Sequence, residues 1–183
     1  MMTFAPSSLV PGQEIPVIET EDLVLRGPRE SDFNALADFY ASDRAKFVGG
    51  PRNRFESWKA FLADLGHWVL RGYGKWTIEH RTSGETVGRT GIIYHDGWQE
   101  PELGWVLYEG FEGQGLALQA SRAARSHAAR HWALDGLISY IDPRNERSIA
   151  LAKRLGARFE CEGNVVGESC HIWRHPSMEE SQG

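Results

Sequence analysis

Apolar positions along the chain change period several times, and each change marks an element. "TEDLVLRGP" alternates, with Leu23 and Leu25 on one face and Pro28 ending the run, which predicts a short strand. In "RESDFNALADFYAS" the spacing shifts. Phe33, Leu36, Ala37 and Tyr40 fall at i, i+3, i+4 and i+7 behind Ser31, the expected N-cap of a helix. "GGPRN" breaks the chain, and Phe55, Trp58, Phe61, Leu62, Leu65 and Val69 trace a second amphipathic helix. From Gly72 the chain is β-rich: "GKWTIEH", "ETVGRTGIIYHD" and "PELGWVLYE", separated by "RTSG" and "DGWQ", read as an antiparallel meander. The alanine-rich "GLALQASRAARSHAARHWA" then predicts a long helix, and "DGLISYID" a strand bounded by Asp135-Gly136 and Pro143. "NERSIALAKRLG" is a helix capped by Asn145 and closed by Gly156, and "ARFECEG" and "ESCHIWRH" are two final strands. This order gives an α/β (α+β) domain with a mixed, mostly antiparallel sheet flanked by helices. Residues 1–16, with three prolines and few periodic apolar positions, read as a flexible arm; 17–176 form the domain, and 177–183 a polar tail.

Composition narrows the function classes. The 183 residues suit one domain with a substantial core, and 41% hydrophobic with 25% charged residues is ordinary for a soluble globular chain. A net charge of −5 with no block of basic residues argues against a nucleic-acid partner. No apolar run approaches the ~18 residues of a membrane span, and "MMTFAPSSLVPGQEIP" lacks the basic-then-apolar pattern of a signal peptide, so a cytoplasmic protein with no membrane partner is expected. Cys161 and Cys170 form neither a disulfide framework nor a C-x-x-C pair and read as small core residues. His127 with His131, and His171 with His175, are spaced i, i+4 but lack the glutamate of a metalloprotease helix, so no metal site is expected. Of the seven tryptophans, Trp58, Trp68, Trp98 and Trp105 are candidates to line a groove, although core packing is the commoner use.

The chemistry concentrates at "YEGFEGQGLALQAS", where Gly113 and Gly115 stand directly before a helix. Such a turn brings bare backbone close to a ligand and points unpaired helix N–H groups at it, an arrangement that favours phosphate. A nucleoside-triphosphate loop needs G-x-x-x-x-G-K-[ST], which is absent. A dinucleotide loop needs G-x-G-x-x-G. Here Leu118 takes the third place, and only one β-α-β unit follows, with Asp142 ending its second strand.

A third ligand class is coenzyme A. "GFEGQGLALQAS" resembles the pyrophosphate loop of the GNAT superfamily of N-acetyltransferases, patterned [Q/R]-x-x-G-x-[G/A], with Gly115 and Ala117 at its fourth and sixth places and Gly113 at its second. "IETEDLVLRGPRESDFNAL" is similar to that superfamily's first strand and helix, "GYGKWTIEHRTSGETVGRTGI" to its second and third strands, "PELGWVLYEGF" to the fourth, and "ISYIDPRNERSIALAKRLGARF" to the fifth and its helix. The resemblance runs over residues 17–174 and is nearest to the ribosomal-protein-alanine N-acetyltransferase (Rim type) branch.

The resemblance implies a single GNAT-type domain whose fourth and fifth strands splay apart around acetyl-CoA, used as co-substrate. It implies that the backbone of Val106 and Leu107 holds the pantetheine arm and that Glu112, Gly113, Gln114, Gly115, Leu116 and Ala117 form the pyrophosphate loop. Asn145 and Ser148 match residues near the arm, and Arg122, Arg144, Arg147, Lys153 and Arg154 are candidates for the adenosine 3′-phosphate. Glu112 departs from the usual Gln or Arg, and its side chain is expected to turn to solvent. Glu102 matches an acidic residue of the branch and is the first choice of general base, with Glu100 and Asp96 behind it. The family's tyrosine acid is replaced by Ala152, leaving Tyr140 and Tyr94 as substitutes. The expected acceptor is an amine-bearing small molecule or a protein N-terminus, and a homodimer is compatible with the family. A non-catalytic acyl-CoA-binding module of the same fold is the alternative.

Overall fold

The computed structural model describes residues 8–10 and 13–180. Ser8–Val10 (β1) pairs with Gln13–Glu14 (β2) in a small hairpin. Ile18–Glu19 (β3) and Leu23–Arg26 (β4) begin the main sheet. A 3-10 turn at Glu30–Asp32 leads into helix Phe33–Ala41 (α1), a second 3-10 segment spans Asp43–Phe47, and helix Arg54–Arg71 (α2) follows. The meander is Lys75–His80 (β5), Thr86–Ile93 (β6) and Glu102–Leu107 (β7). Helix Leu116–Trp132 (α3), strand Ile138–Ile141 (β8), helix Glu146–Arg154 (α4) and the hairpin Arg158–Val165 (β9) with Glu168–Arg174 (β10) complete the chain. The sheet order is β3-β4-β5-β6-β7-β8-β10-β9, antiparallel throughout except at β7–β8.

One face of the sheet is apolar. Leu23, Leu25, Trp76, Ile78, Val87, Ile92 and Leu103 are buried there against α3, which presents Ala120, Ala124 and Ala128. Those alanines, spaced i, i+4, i+8, form a bare stripe that lets the helix lie close to the strands. The other face carries charge. Asp32 takes a bidentate pair from Arg26 and a bond from Thr77, and Asp64 on α2 meets Arg89 on β6 at 2.7 Å.

That polarity explains two departures from the sequence reading. Asp32, not Ser31, is the residue before α1, and it is spent on Arg26 rather than on the helix end. In α2 the inward face is Ser57, Phe61, Asp64, His67 and Trp68. Phe55, Leu62 and Val69, expected on the buried stripe, are 69%, 46% and 38% exposed. Apolarity alone drew the stripe too wide: Phe61 is buried and Trp58 and Leu65 pack beside it, but the strands below α2 also require the Asp64 carboxylate. The expected arm lies partly outside the described residues, yet its last turns belong to the domain: Ile15 is buried, and Pro16 O accepts from Trp76 Nε1 at 2.7 Å. Among the described residues no helix is long and apolar enough to cross a membrane.

Candidate active site

The site begins where the parallel pairing fails. Glu102 opposite Ile138 is the sole ladder pair between β7 and β8. Beyond it the strands part, and a groove of about 780 Å³ opens along the gap. Alternation decides which backbone groups face it. Ile92, opposite Leu103, donates its N–H away to Gly74 O, and Tyr108 N donates to Val87 O on β6. Leu103, Trp105 and Leu107 therefore turn their backbone groups toward β8, while those of Gly104 and Val106 serve β6. By this alternation the backbone of Val106 serves β6 rather than the gap, and that of Trp105 and Leu107 turns toward it; Trp105 and Val106 line the groove. The Leu107 carbonyl already accepts from Arg44 Nη2 at 3.1 Å.

Glu102 sits at the apex of this gap. Its Oε2 accepts the Tyr140 N–H at 2.9 Å. Burial pushes the carboxyl up to about 7, with the Tyr140 N–H and the nearby Lys75 ammonium limiting the rise. Lys75, half-buried on the same sheet face, has no carboxylate within ion-pairing distance among the described residues. Between Lys75 and Glu102 lies Gly104, where an added Cβ would stand 3.4 Å from Glu102 Oε1 and 3.6 Å from Lys75 Cε. The glycine thus keeps the floor open beside the carboxylate.

At the far end the chain leaves β7 into the glycine loop. Gly113 and Gly115 have φ of 76° and 80°, and nothing lies within 4 Å of where their side chains would begin. Gly115 caps α3, whose first turn includes Leu116 and Ala117, with Leu116 buried as an anchor. Gln114 Nε2 donates to Gly110 O at 3.2 Å, tying the loop to itself. Glu112 does not point freely to solvent: it forms an ion pair with Arg44, lies 3.8 Å from Arg147, and accepts the Gly110 N–H at 3.0 Å. Burial alone would raise its carboxyl, but backbone donors and Arg44 outweigh this and hold it below the usual range.

Across the gap, Asn145 Oδ1 caps α4 by accepting the Ser148 N–H at 3.2 Å, and both residues line the groove. Asp96 lines it from the β6–β7 connection with His95 and Trp98. Glu100 does not line it. Arg174 holds both its oxygens at 2.6 and 2.9 Å and thereby keeps its carboxyl below the usual range. Tyr140 lines the groove with its ring against Trp98, and its hydroxyl accepts from Glu100 N at 3.3 Å, whereas Tyr94 is stacked under Arg71. Trp98 and Trp105 line the groove; Trp58 packs on Phe33 and Trp68 on Trp76. Cys170 also lines it, and Cys161 is exposed rather than in the core. Of the candidate cations, Arg144 is bound to Asp142, Arg147 approaches Glu112, Lys153 lies over Trp173, and Arg122 reaches Arg154 O.

Sequence reasoning missed Arg44, Asp64, Lys75 and Arg89. For Lys75 and Arg89 a signal existed, since alternation puts both on the face opposite Trp76 and Thr90. Arg44 and Asp64 gave none, because nothing local tells which strand they will meet.

A groove that opens where β7 and β8 part, with a half-buried carboxylate of raised proton affinity at its apex and a glycine-turned helix start following β7, suits an acyl-thioester transferase. The acetyltransferase (GNAT) domain family matches residues 22–158. An acetyltransferase from Agrobacterium tumefaciens str. C58 superposes with a TM-score of 0.82 at 38% identity, covering 88% of this chain and 95% of that one. RimL, a ribosomal L7/L12 alpha-N-protein acetyltransferase solved in complex with coenzyme A, shares the fold, with a TM-score of 0.72 at 21% identity over 88% of this chain and 98% of that one. An uncharacterized Bacillus subtilis (strain 168) protein, YkkB, is 28% identical over 93 residues, 49% of this chain, and the match spans about half of that curated relative (54%). The chain belongs to the GNAT acetyltransferases and is an acetyl-CoA-dependent N-acetyltransferase.

Proposed function

We propose that the chain acetylates a primary amine, on a protein or peptide N-terminus or on a small molecule, by direct attack within a ternary complex. The observation that carries this is Glu102: a carboxylate at the apex of the splay, beside an open floor at Gly104, with its proton affinity moved to about 7. An amine arrives protonated and must lose that proton before it can attack. A base with its midpoint near the working pH is suited to take it. Asp96 is the second candidate because it also lines the groove.

The residues around the gap fit coenzyme A. The edge of β7 at Trp105 and Leu107 offers backbone groups to an amide-bearing arm, with the Val106 side chain beneath. Glu112 to Ala117 supply bare backbone and the N-terminus of α3 for a pyrophosphate, and open space at Gly113 and Gly115 supports a close approach. The Glu112 charge is answered by Arg44 and Arg147, so it need not oppose that anion. Asn145 and Ser148 would flank the arm from α4, and Arg122 and Arg154, neither of them ion-paired among the described residues, are the candidates for the 3′-phosphate. Acetyl-CoA supplies an acetyl group already activated as a thioester, so no side-chain nucleophile is required.

The acceptor enters from the other mouth, between Lys46–Arg52, His95–Trp98 and the tip of the β9–β10 hairpin at Val165–Cys170. RimL's activity on a protein α-amine supports an N-terminal acceptor for this chain as well. Calorimetric titration with acetyl-CoA tests the cofactor half. Wild type should bind, and Gly115→Trp, which fills the loop and strains φ, should weaken binding at least about 100-fold. A thiol-release screen of N-terminal peptides and small amines then tests the acceptor half. Binding without thiol release for every amine would overturn the proposal.

A further inference from the structure

Two bonds at the apex replace the ladder that parallel strands would make. After the Glu102–Ile138 pair, a regular ladder would continue with the Tyr140 N–H donating to the Leu103 carbonyl, which faces β8. On that carbonyl Ser139 Oγ donates, at a short 2.6 Å, and competes for the direction from which the amide would approach. The Tyr140 N–H goes instead to Glu102 Oε2 at 2.9 Å. A carboxylate thus stands where a strand carbonyl would be, and the strands separate from there.

Ser139 is itself held. It is 2% exposed, and His175 Nε2 lies 2.9 Å from its oxygen. With the serine hydrogen committed to Leu103, His175 is the donor through Nε2–H, and its Nδ1 accepts from Arg125 Nη1 at 3.4 Å. Arg125 is anchored in turn on Leu155 O at 2.8 Å. Burial, then Arg125 and Arg174, push His175 down to about 3, which keeps the ring neutral in this arrangement. The serine–histidine contact is therefore no nucleophile–base pair; the hydroxyl points at a carbonyl and the imidazole gives rather than takes a proton.

We infer that Ser139, braced by His175 and Arg125, is a positioning residue for Glu102: by occupying the Leu103 carbonyl it keeps the Tyr140 N–H on the Glu102 carboxylate and sets where β7 and β8 part. That the carboxylate so held serves as the base rests on the function proposed above; the positioning itself is readable without turnover. The other groups facing Glu102 are Lys75 from β5, Tyr140 from β8 and Cys170 from β10. Changing Ser139 leaves all three in place.

The test is an NMR titration of isotope-labelled protein from about pH 5 to 9, following the Glu102 carboxyl carbon and the Tyr140 amide proton. In wild type both signals should move with one midpoint. In Ser139→Ala the freed Leu103 carbonyl takes the Tyr140 N–H. The Glu102 midpoint then rises by about one unit, a tenfold gain in proton affinity, and the Tyr140 amide no longer follows it. Ser139→Thr, which keeps the hydroxyl, should restore both. A Tyr140 amide that ignores Glu102 in wild type, or one midpoint shared by all three proteins, overturns the inference. The acid limb of kcat/KM on the same proteins separates the two claims. If the limb tracks the NMR midpoints, both stand. If the midpoints move and the limb does not, the positioning stands and Glu102 is not the base.

Discussion

Under α3 the sheet shows Trp76, Ile78, Val87, Ile92 and Leu103, answered by a stripe of alanines; under α1 and α2 the same strands show Arg26, Thr77, Lys75, Arg89 and Glu102. The first face is held by non-directional burial, in which fit matters and partner identity matters little. The second has its own apolar cluster, with Phe33, Leu36, Phe61 and Tyr108 buried. It also carries the pairs Arg26 with Asp32 and Arg89 with Asp64, each of which must be complete to offset the desolvation of its charges. Both lie in one sheet a residue apart along every strand. The difference is that the second face opens into the groove, where a low dielectric around Glu102 and Lys75 is what moves a proton affinity. A purely apolar face would be more stable and chemically inert.

The comparison can be broken most sharply at Glu102. Glu102→Gln should lower kcat in a thiol-release assay by about 100- to 10,000-fold while leaving acetyl-CoA binding in place. The same variant should be more stable than wild type at alkaline pH. The folded carboxyl titrates at about 7 against 4.5 when free, so its contribution is most favourable below 4.5 and is lost as pH rises through 7. The gain at pH 8, read from urea unfolding, should be on the order of 1–3 kcal/mol.

Asp64→Ala tests the paired character of the groove face. It leaves the Arg89 guanidinium buried without its carboxylate, and chemical denaturation should report a loss of about 3–5 kcal/mol. On the apolar face, Ala124→Leu inserts volume between α3 and the strands. A cost of about 1–3 kcal/mol is expected with turnover per folded molecule unchanged, and a fall in turnover would show that the two faces are not separable. The smallest effect is at Lys75. Lys75→Met removes a cation that favours ionised Glu102, so the acid limb of the pH–rate profile should move upward by a few tenths of a unit.

The glycine loop, its helix and the Asn145 cap were readable because each is written locally: Gly113 and Gly115 before a proline-free run, Asn145 before Glu146–Arg154. The meander was equally plain from alternation and turns. The inward face of α2 was not, since Phe55, Leu62 and Val69 satisfy the helical period as well as Phe61 and Trp68 do. Arg44 lies in a 3-10 segment with no apolar period, yet it reaches Glu112 and the Leu107 carbonyl, 63 residues on.

By itself, then, the sequence determined the order of the elements, the glycine turn and the family, because propensity, capping and glycine geometry act over a few neighbours. Tertiary structure alone decided which carboxylate became unusual. Glu102, Glu100 and Asp96 differ little as text. Folding puts one on a strand amide at the half-buried apex of the splay, one on Arg174, and one at the groove's exposed rim. Proton affinity responds to that surrounding dielectric and to partners far away in the chain, and those exist only once β7, β8 and β10 have been brought side by side.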